Sequence, residues 1–115
     1  MSIEEKSVNE TVEAMFPETT EEFKKIQDEQ YDLFCKKQFD YGPGNISVGT
    51  TLKTKDEVQF SLFGLWFRKN DKVQRLKNIL ITKKEPQNES IEDSYLDVGN
   101  YSIISLLVQR GKWGK

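Results

Sequence analysis

Two groups of charged residues, each spaced for one side of a helix, are the part of this chain best suited to chemistry. The basic stripe consists of Arg68, Lys72 and Arg75. The acidic stripe consists of Glu89, Asp93 and Asp97, and Asn100 continues its spacing. Residues three or four positions apart line up on one side of an α-helix. A basic and an acidic stripe on adjacent helices predict a phosphate-bearing or metal-bound ligand between them.

The two stripes also have a simpler interpretation. Guanidinium groups grip phosphate oxygens in pairs, so Arg68 and Arg75 suit a phosphate ligand. The same spacing is common on ordinary charged helix faces, where the basic stripe would pair with Asp71 and with the acidic stripe. Acidic residues in a first helical turn are also favoured by the helix dipole. Asp97 lies beyond that turn and beside an apolar half-helix, so it is the carboxylate we expect to be functional.

Aromatic and amide side chains supply further candidates. Tyr41, in a turn rich in glycine, could stack a base or could merely cover the core. Asn100 and Tyr101 stand where the last helix changes from polar to apolar, and Asn100 could read a base edge or tie two helices together. Trp66 and Phe67 could form a stacking platform, but they are predicted to be core residues, and Cys35 is predicted to be a small core residue.

Composition limits the class of protein. The chain has 115 residues, 36% of them apolar and 31% charged. This size suits one domain with a small core, and association would add buried area, so we expect a homo-oligomer, a dimer or a tetramer. No apolar run of about 18 residues occurs, and the N-terminus is acidic where a signal peptide is basic. We therefore expect a cytoplasmic protein with no membrane partner.

Residue types narrow the chemistry further. The chain has one cysteine and no histidine, which excludes an intramolecular disulfide and the commonest catalytic base. Any metal would have carboxylate ligands, which favour magnesium or manganese. Up to Asp32 there are ten acidic and three basic residues, and beyond it nine acidic and fourteen basic. Without a clearly basic balance, general DNA binding is not expected.

The pattern of apolar residues predicts an all-α fold of four or five helices, with an irregular loop after the second helix. The predicted helices cover 3–16, 19–39, 61–82 and 90–109, and 46–59 is left open between strand and helix. Thr19 and Glu22 form a capping-box pattern for the second helix, and Ser90-Ile91-Glu92-Asp93 is the cap pattern of the last helix. Its predicted buried side comprises Phe23, Ile26, Leu33 and Phe34. The predicted division is a helical arm over 1–17 and a single helical nucleotide-binding domain over 18–115.

Several spaced motifs together resemble a known family. They are Lys37, Asp40-Tyr41-Gly42, Phe67-Arg68, Asp71-Lys72, Arg75-Leu76-Lys77-Asn78, Glu92-Asp93, Asp97 and Asn100-Tyr101. Over residues 29–108 the chain resembles the phage-borne nucleotide modification associated domain family. The resemblance implies a nucleotide or cyclic dinucleotide as partner. The ligand-binding residues that it implies are Tyr41, Arg68, Lys72, Arg75, Asn78, Asp97, Asn100 and Tyr101.

That family in turn resembles the all-α NTP pyrophosphohydrolases of the MazG type. Those enzymes hold magnesium with a Glu-x-x-Glu pair on one helix and a Glu-x-x-Asp pair on the next, and the metal activates water. The last helix here has no Glu-x-x-Asp pair. A magnesium enzyme would therefore need a rearranged set of ligands, namely Glu29, Asp32, Asp93 and Asp97.

Two functions follow as expectations. The first is a phage-type binding protein, without catalytic residues or cofactor, in the cytoplasm of an infected host cell. It would sequester a cyclic nucleotide signal of host defence without cleaving it, as an anti-defence sponge. The alternative is a magnesium-dependent MazG-like nucleoside triphosphate pyrophosphohydrolase.

Overall fold

The computed structural model describes residues 3–115, with side chains from Val8 onward, and all of its regular elements are helices. The helices are α1 (Ile3–Met15), α2 (Pro17–Tyr41), α3 (Gly44–Ser47), α4 (Lys55–Thr82) and α5 (Ile91–Gln109). No strand occurs among the described residues. The predicted all-α fold, with five helices and a loop after the second, is confirmed. None of the helices in this part of the chain combines the length and apolar character needed to span a bilayer.

Two helix starts differ in how well the sequence signals them. Helix α2 begins at Pro17, a residue whose fixed φ suits the first helical position, so the predicted capping box of Thr19 and Glu22 is wrong. Helix α4 has a capping box at Thr54, which accepts from the Glu57 amide while the Glu57 carboxylate accepts from the Thr54 amide. Hydrogen bonds from Thr51 and then Thr54 hold the pKa of Glu57 below its usual value. This box explains why helix begins at Lys55, inside the segment left open.

The described chain divides into two compact units within α2, the first ending at Leu33 and the second spanning Phe34–Lys115. The predicted division into an arm over 1–17 and a domain over 18–115 stays a prediction. No described side chain of the first unit is buried. Phe23 and Ile26 are therefore exposed, contrary to prediction, because a unit of α1 and part of α2 has no third element to enclose them.

Helices α4 and α5 form the main packing pair of the second unit, and α3 packs against α4. The core cluster consists of Ile46, Leu65, Ile104, Val108 and Trp113. Leu65, near the middle of α4, is only 1% exposed. Phe34 meets Trp113 edge to face, with ring centroids 6.2 Å apart. This core therefore joins the end of α2, the short α3 and the C-terminal tail to the α4–α5 pair.

Three residues predicted for the core are exposed. Trp66 and Phe67 lie on the side of α4 away from Leu65, and Cys35 is exposed on α2. The apolar residues of α4 extend around more of the helix than α3 and α5 cover. Burial therefore depends on which side meets a neighbour, which apolar spacing alone does not specify.

Leu65→Ala should lower the free energy of unfolding by about 2–5 kcal/mol, because it leaves a cavity in the core. Leu80→Ala is the matched control on the same helix, since Leu80 is 57% exposed, and it should change stability by about 0.5 kcal/mol or less. Urea unfolding of both variants measures the difference. Equal losses would contradict the position of Leu65 in the core.

Candidate functional site

A buried carboxylate lies at the centre of the second unit. Asp97, on α5, is 2% exposed. Its Oδ1 lies 2.6 Å from the ammonium nitrogen of Lys37 on α2, and its Oδ2 lies 3.0 Å from that of Lys72 on α4. A carboxylate removed from water is tolerated only when charge and hydrogen bonds compensate it. Here each oxygen has its own cation, so Asp97 ties three helices together.

Lys72 is shared between two carboxylates. Its ammonium nitrogen also lies 2.7 Å from Glu89 Oε2, just before α5. Partial burial by itself lowers the pKa of Lys72, but hydrogen bonds and charge interactions with Glu89 and Asp97 outweigh it, and the net pKa is raised. Lys72 therefore stays charged at neutral pH and stabilises both carboxylates.

Three side chains hold the turn that follows α2 by its carbonyl oxygens. The Trp113 indole N–H donates to Pro43 O at 3.0 Å, and Arg68 Nη2 donates to Asn45 O at 2.8 Å. Ser61 Oγ, which is fully buried, donates to Ile46 O at 2.7 Å. Buried carbonyl groups need such partners when no helix or sheet supplies them. The turn is thus positioned by residues of α4 and of the tail.

A cavity of about 220 Å³ lies beside Asp97, and every residue lining it belongs to the second unit. Its aromatic and aliphatic lining consists of Phe34, Tyr41, Ile46, Tyr101, Ile104 and Trp113. Its polar lining consists of Lys37, Gln38, Asn45, Arg68, Asp97 and Asn100. Asn45 Oδ1 is buried there and accepts no hydrogen bond. The cavity therefore combines ring faces, two cations, three amides and one unused acceptor.

Five of the eight predicted ligand-binding residues line this cavity: Tyr41, Arg68, Asp97, Asn100 and Tyr101. The other three do not. Lys72 bonds to Asp97 and Glu89 instead, and Asn78 is exposed near the end of α4.

Arg75 fastens the start of α5. Its guanidinium donates to Ser90 O at 3.3 Å, to Ser94 Oγ at 2.6 Å and to Glu89 O. Ser90 caps α5 by accepting from the Asp93 amide, as its sequence pattern predicts. The three residues of the basic stripe therefore have different roles. Arg68 lines the cavity, Lys72 pairs with Asp97, and Arg75 holds the start of α5, because successive turns of α4 lie beside these three features in order.

Several cavity residues escaped the sequence prediction. Phe34, Lys37 and Gln38 precede the predicted Tyr41 on α2 with the spacing i, i+3, i+4 and i+7, which could have singled them out. Ile104 continues the spacing of Asp97, Asn100 and Tyr101 on α5, at i+7 from Asp97. Asn45 and Trp113 carry no comparable signal, because they reach the cavity from the short α3 and from the chain's end. Lys37 appears in the sequence argument only within the family resemblance.

The four predicted metal ligands remain a prediction. Glu29 and Asp32 belong to the first unit, whereas Asp93 and Asp97 belong to the second. Asp93 is exposed, and Asp97 has both oxygens on lysines. Within the described side chains, no group of three or more histidine, cysteine, aspartate or glutamate residues is arranged to hold a metal ion.

Lys72→Met should lower the free energy of unfolding by about 3 kcal/mol at neutral pH, since it removes one cation from a buried carboxylate. Lys77→Met, on the exposed side of α4, should change it by about 0.5 kcal/mol or less. Because the pKa of Lys72 is raised by folding, its contribution is complete below the ordinary value of 10.5 and is lost as pH rises through the folded value. In denaturant titrations the stabilities of the two variants should converge as pH rises from neutral through the raised pKa of Lys72. A difference that stays constant with pH would contradict the pairing.

Comparison with known proteins gives one match. Residues 68–108, which include Arg68, Lys72, Asp97 and Asn100, match the family model described as nucleotide modification associated domain 1. No curated protein and no solved structure matches the chain. The matched stretch covers α4 from Arg68 onward and most of α5, the two helices that hold Asp97 and form one wall of the cavity. The resemblance predicted from the spaced motifs is confirmed over residues 68–108, which match the model of nucleotide modification associated domain 1.

Proposed function

We propose that the cavity beside Asp97 binds a nucleotide and holds it without cleaving it. The observation that carries the proposal is the lining itself, which places aromatic rings, amides and cations around one space. Tyr41, Tyr101 and Trp113 offer ring faces or edges to a base, and stacking contributes about 1–3 kcal/mol per base whatever its identity. The match to a nucleotide modification associated domain supports the same class of ligand.

The polar residues suit the remaining parts of a nucleotide. An arginine has five N–H donors, and the bond from Arg68 to Asn45 O uses one of them, so others can meet a phosphate. Lys37 is the more exposed partner of Asp97, with 41% of its side chain exposed, and can reach a phosphate at the mouth of the cavity. Asn45 Oδ1 accepts no hydrogen bond from the protein and can accept one from an amino group of a base.

The cavity's size limits what it encloses. Pockets that bury drug-sized ligands have volumes of about 300–1,000 Å³, whereas this cavity has about 220 Å³. One base with part of its sugar is the appropriate occupant, with phosphates toward Lys37 and Arg68. A cyclic dinucleotide would place one base in the cavity and extend beyond it, so its second base would need another site.

Sequestration is favoured over hydrolysis by the state of Asp97. A magnesium ligand offers a carboxylate oxygen to the ion, but both oxygens of Asp97 already face lysine ammonium groups. Binding magnesium through Asp97 would break at least one of these ion pairs. It would also place the metal ion close to the ammonium groups of Lys37 and Lys72. The pyrophosphohydrolase alternative therefore requires a rearrangement, whereas binding does not.

The biological role follows from the resemblance to a phage-borne family. A protein that binds a cyclic nucleotide signal of host defence without cleaving it would act as an anti-defence sponge in the cytoplasm of the infected cell. Homo-oligomers would raise the number of cavities per particle and could bring a second cavity to a dinucleotide.

The first test is to incubate the protein and magnesium with separate nucleoside triphosphates and cyclic dinucleotides, then separate the complex, denature it and identify the released molecule. Recovery of an intact ligand at near one per cavity is expected. Release of a nucleoside monophosphate with pyrophosphate would instead establish the pyrophosphohydrolase. No retained ligand and no product from the whole panel would refute both functions.

Tyr41→Ala should weaken binding of the ligand so identified by about tenfold, because it removes a ring face worth about 1–3 kcal/mol per stacked base. Tyr41 is 68% exposed and Tyr95, on α5 and outside the cavity, is 53% exposed. Tyr95→Ala is therefore the matched control, and its affinity should equal that of the wild type. Isothermal titration calorimetry measures both, and equal affinities for the two variants would remove Tyr41 from the site.

A further inference from the structure

The outer side of α4 carries four exposed aromatic residues, which we call the aromatic face. They are Phe60, Phe63, Trp66 and Phe67, exposed by 56%, 53%, 53% and 60%. Phe60, Phe63 and Phe67 stand at i, i+3 and i+7, the spacing of one side of a helix. Phe63 lies two residues from both Ser61 and Leu65, which are buried, so it points about half a turn away from the core.

The aromatic face has the area of the largest apolar patch on a typical monomer, the kind of patch that is often functional. A whole buried aromatic side chain covers about 150–250 Å², so four half-exposed ones leave on the order of 300–500 Å² of apolar surface on one helix. The largest apolar patch of a typical monomer is about 300–600 Å² and is often functional. A standard interface takes about 800 Å² from each partner, with an apolar centre and a polar rim. The face therefore has the area of such a centre.

We propose that the side of α4 formed by the aromatic face and its continuation through Asn70 and Val73 binds the same side of a second copy of this chain, with the two α4 helices antiparallel. A two-fold axis pairs one helical stripe with itself, so no second type of surface is needed. Trp66 and Phe67 already contact each other edge to face, with centroids 5.3 Å apart. They lie near the middle of α4, and buried tryptophan and tyrosine near an interface centre commonly dominate binding.

Charged residues at the two ends of α4 favour an antiparallel over a parallel pair of helices. Asp56 lies in the first turn, Lys77 lies near the end, and both are exposed. They are 21 positions apart in the sequence, which is about six helical turns, so they extend from the same general side as the aromatic face. When two helices pair antiparallel about a centre between Trp66 and Phe67, Asp56 meets the partner's Lys77 at each end. A parallel pair would bring like charges together.

The small core adds a reason for association with a second copy. Only six apolar residues of the described side chains are buried, against twenty large apolar residues that are exposed. Burying the aromatic face in a dimer enlarges the apolar interior without any change within one chain. The proposal does not depend on the nucleotide, because no cavity residue belongs to the aromatic face.

The test is sedimentation velocity of the full chain without nucleotide, from about 1 to 100 μM. The wild type should be a dimer at the upper concentrations, and Phe63→Asp should weaken it at least tenfold. Phe39→Asp is the control, because Phe39 is 90% exposed on α2 and lies outside the face. Circular dichroism should show equal helicity in all three proteins. A monomeric wild type, or equal weakening by both substitutions, would overturn the proposal.

A charge reversal tests the antiparallel register separately. Asp56→Lys and Lys77→Asp should each weaken the dimer several-fold, because each sets like charges together twice. The double variant should recover wild-type association, since it restores opposite charges at both ends. Double-variant association no stronger than that of the single variants would overturn the antiparallel pairing.

Discussion

The buried Asp97 carboxylate is the constraint on which the second unit depends. It is enclosed between α2, α4 and α5, where an unpaired charge would cost several kcal/mol. Lys37 and Lys72 compensate it from opposite sides, at 2.6 and 3.0 Å. Because each lysine comes from a different helix, the requirement to neutralise one carboxylate sets the relative position of three elements. Glu89 extends the same network to the link before α5 through Lys72.

The cavity follows from that arrangement. With Lys37 drawn toward Asp97, the end of α2 brings Tyr41 to the cavity wall, and the turn beyond it is held by Trp113, Arg68 and Ser61. The short helix α3 therefore supplies Asn45 to the wall. The contacts that hold the fold together, such as the Lys37–Asp97 pair and the Trp113 and Arg68 hydrogen bonds, also place rings, amides and cations around the cavity.

Outside this network the molecule has little apolar interior. The first unit buries no described side chain, and α4 leaves one aromatic side uncovered. Helix formation in these regions rests on local terms such as the Thr54–Glu57 box, the proline at the start of α2 and the Ser90 cap. Local terms specify where a helix begins and ends, but they do not specify which side of it is covered. Exposed sides of this kind are where a second chain gains most by binding.

Local signals in the sequence were enough to predict the helical class, the turn after α2, the Ser90 cap and Asp97 as the carboxylate of interest. These features depend on residues within a few positions of one another, and Asp97 is marked by its place beside an apolar half-helix. The matched family over residues 68–108 was also evident from spaced motifs. The roles within the basic stripe were decided only by tertiary structure, because Arg68, Lys72 and Arg75 share one helical side yet face three different neighbours. The same holds for Trp66, Phe67 and Cys35, since burial depends on the position of other helices, and for Trp113, whose place in the cavity wall depends on a contact with Pro43 far away in the chain.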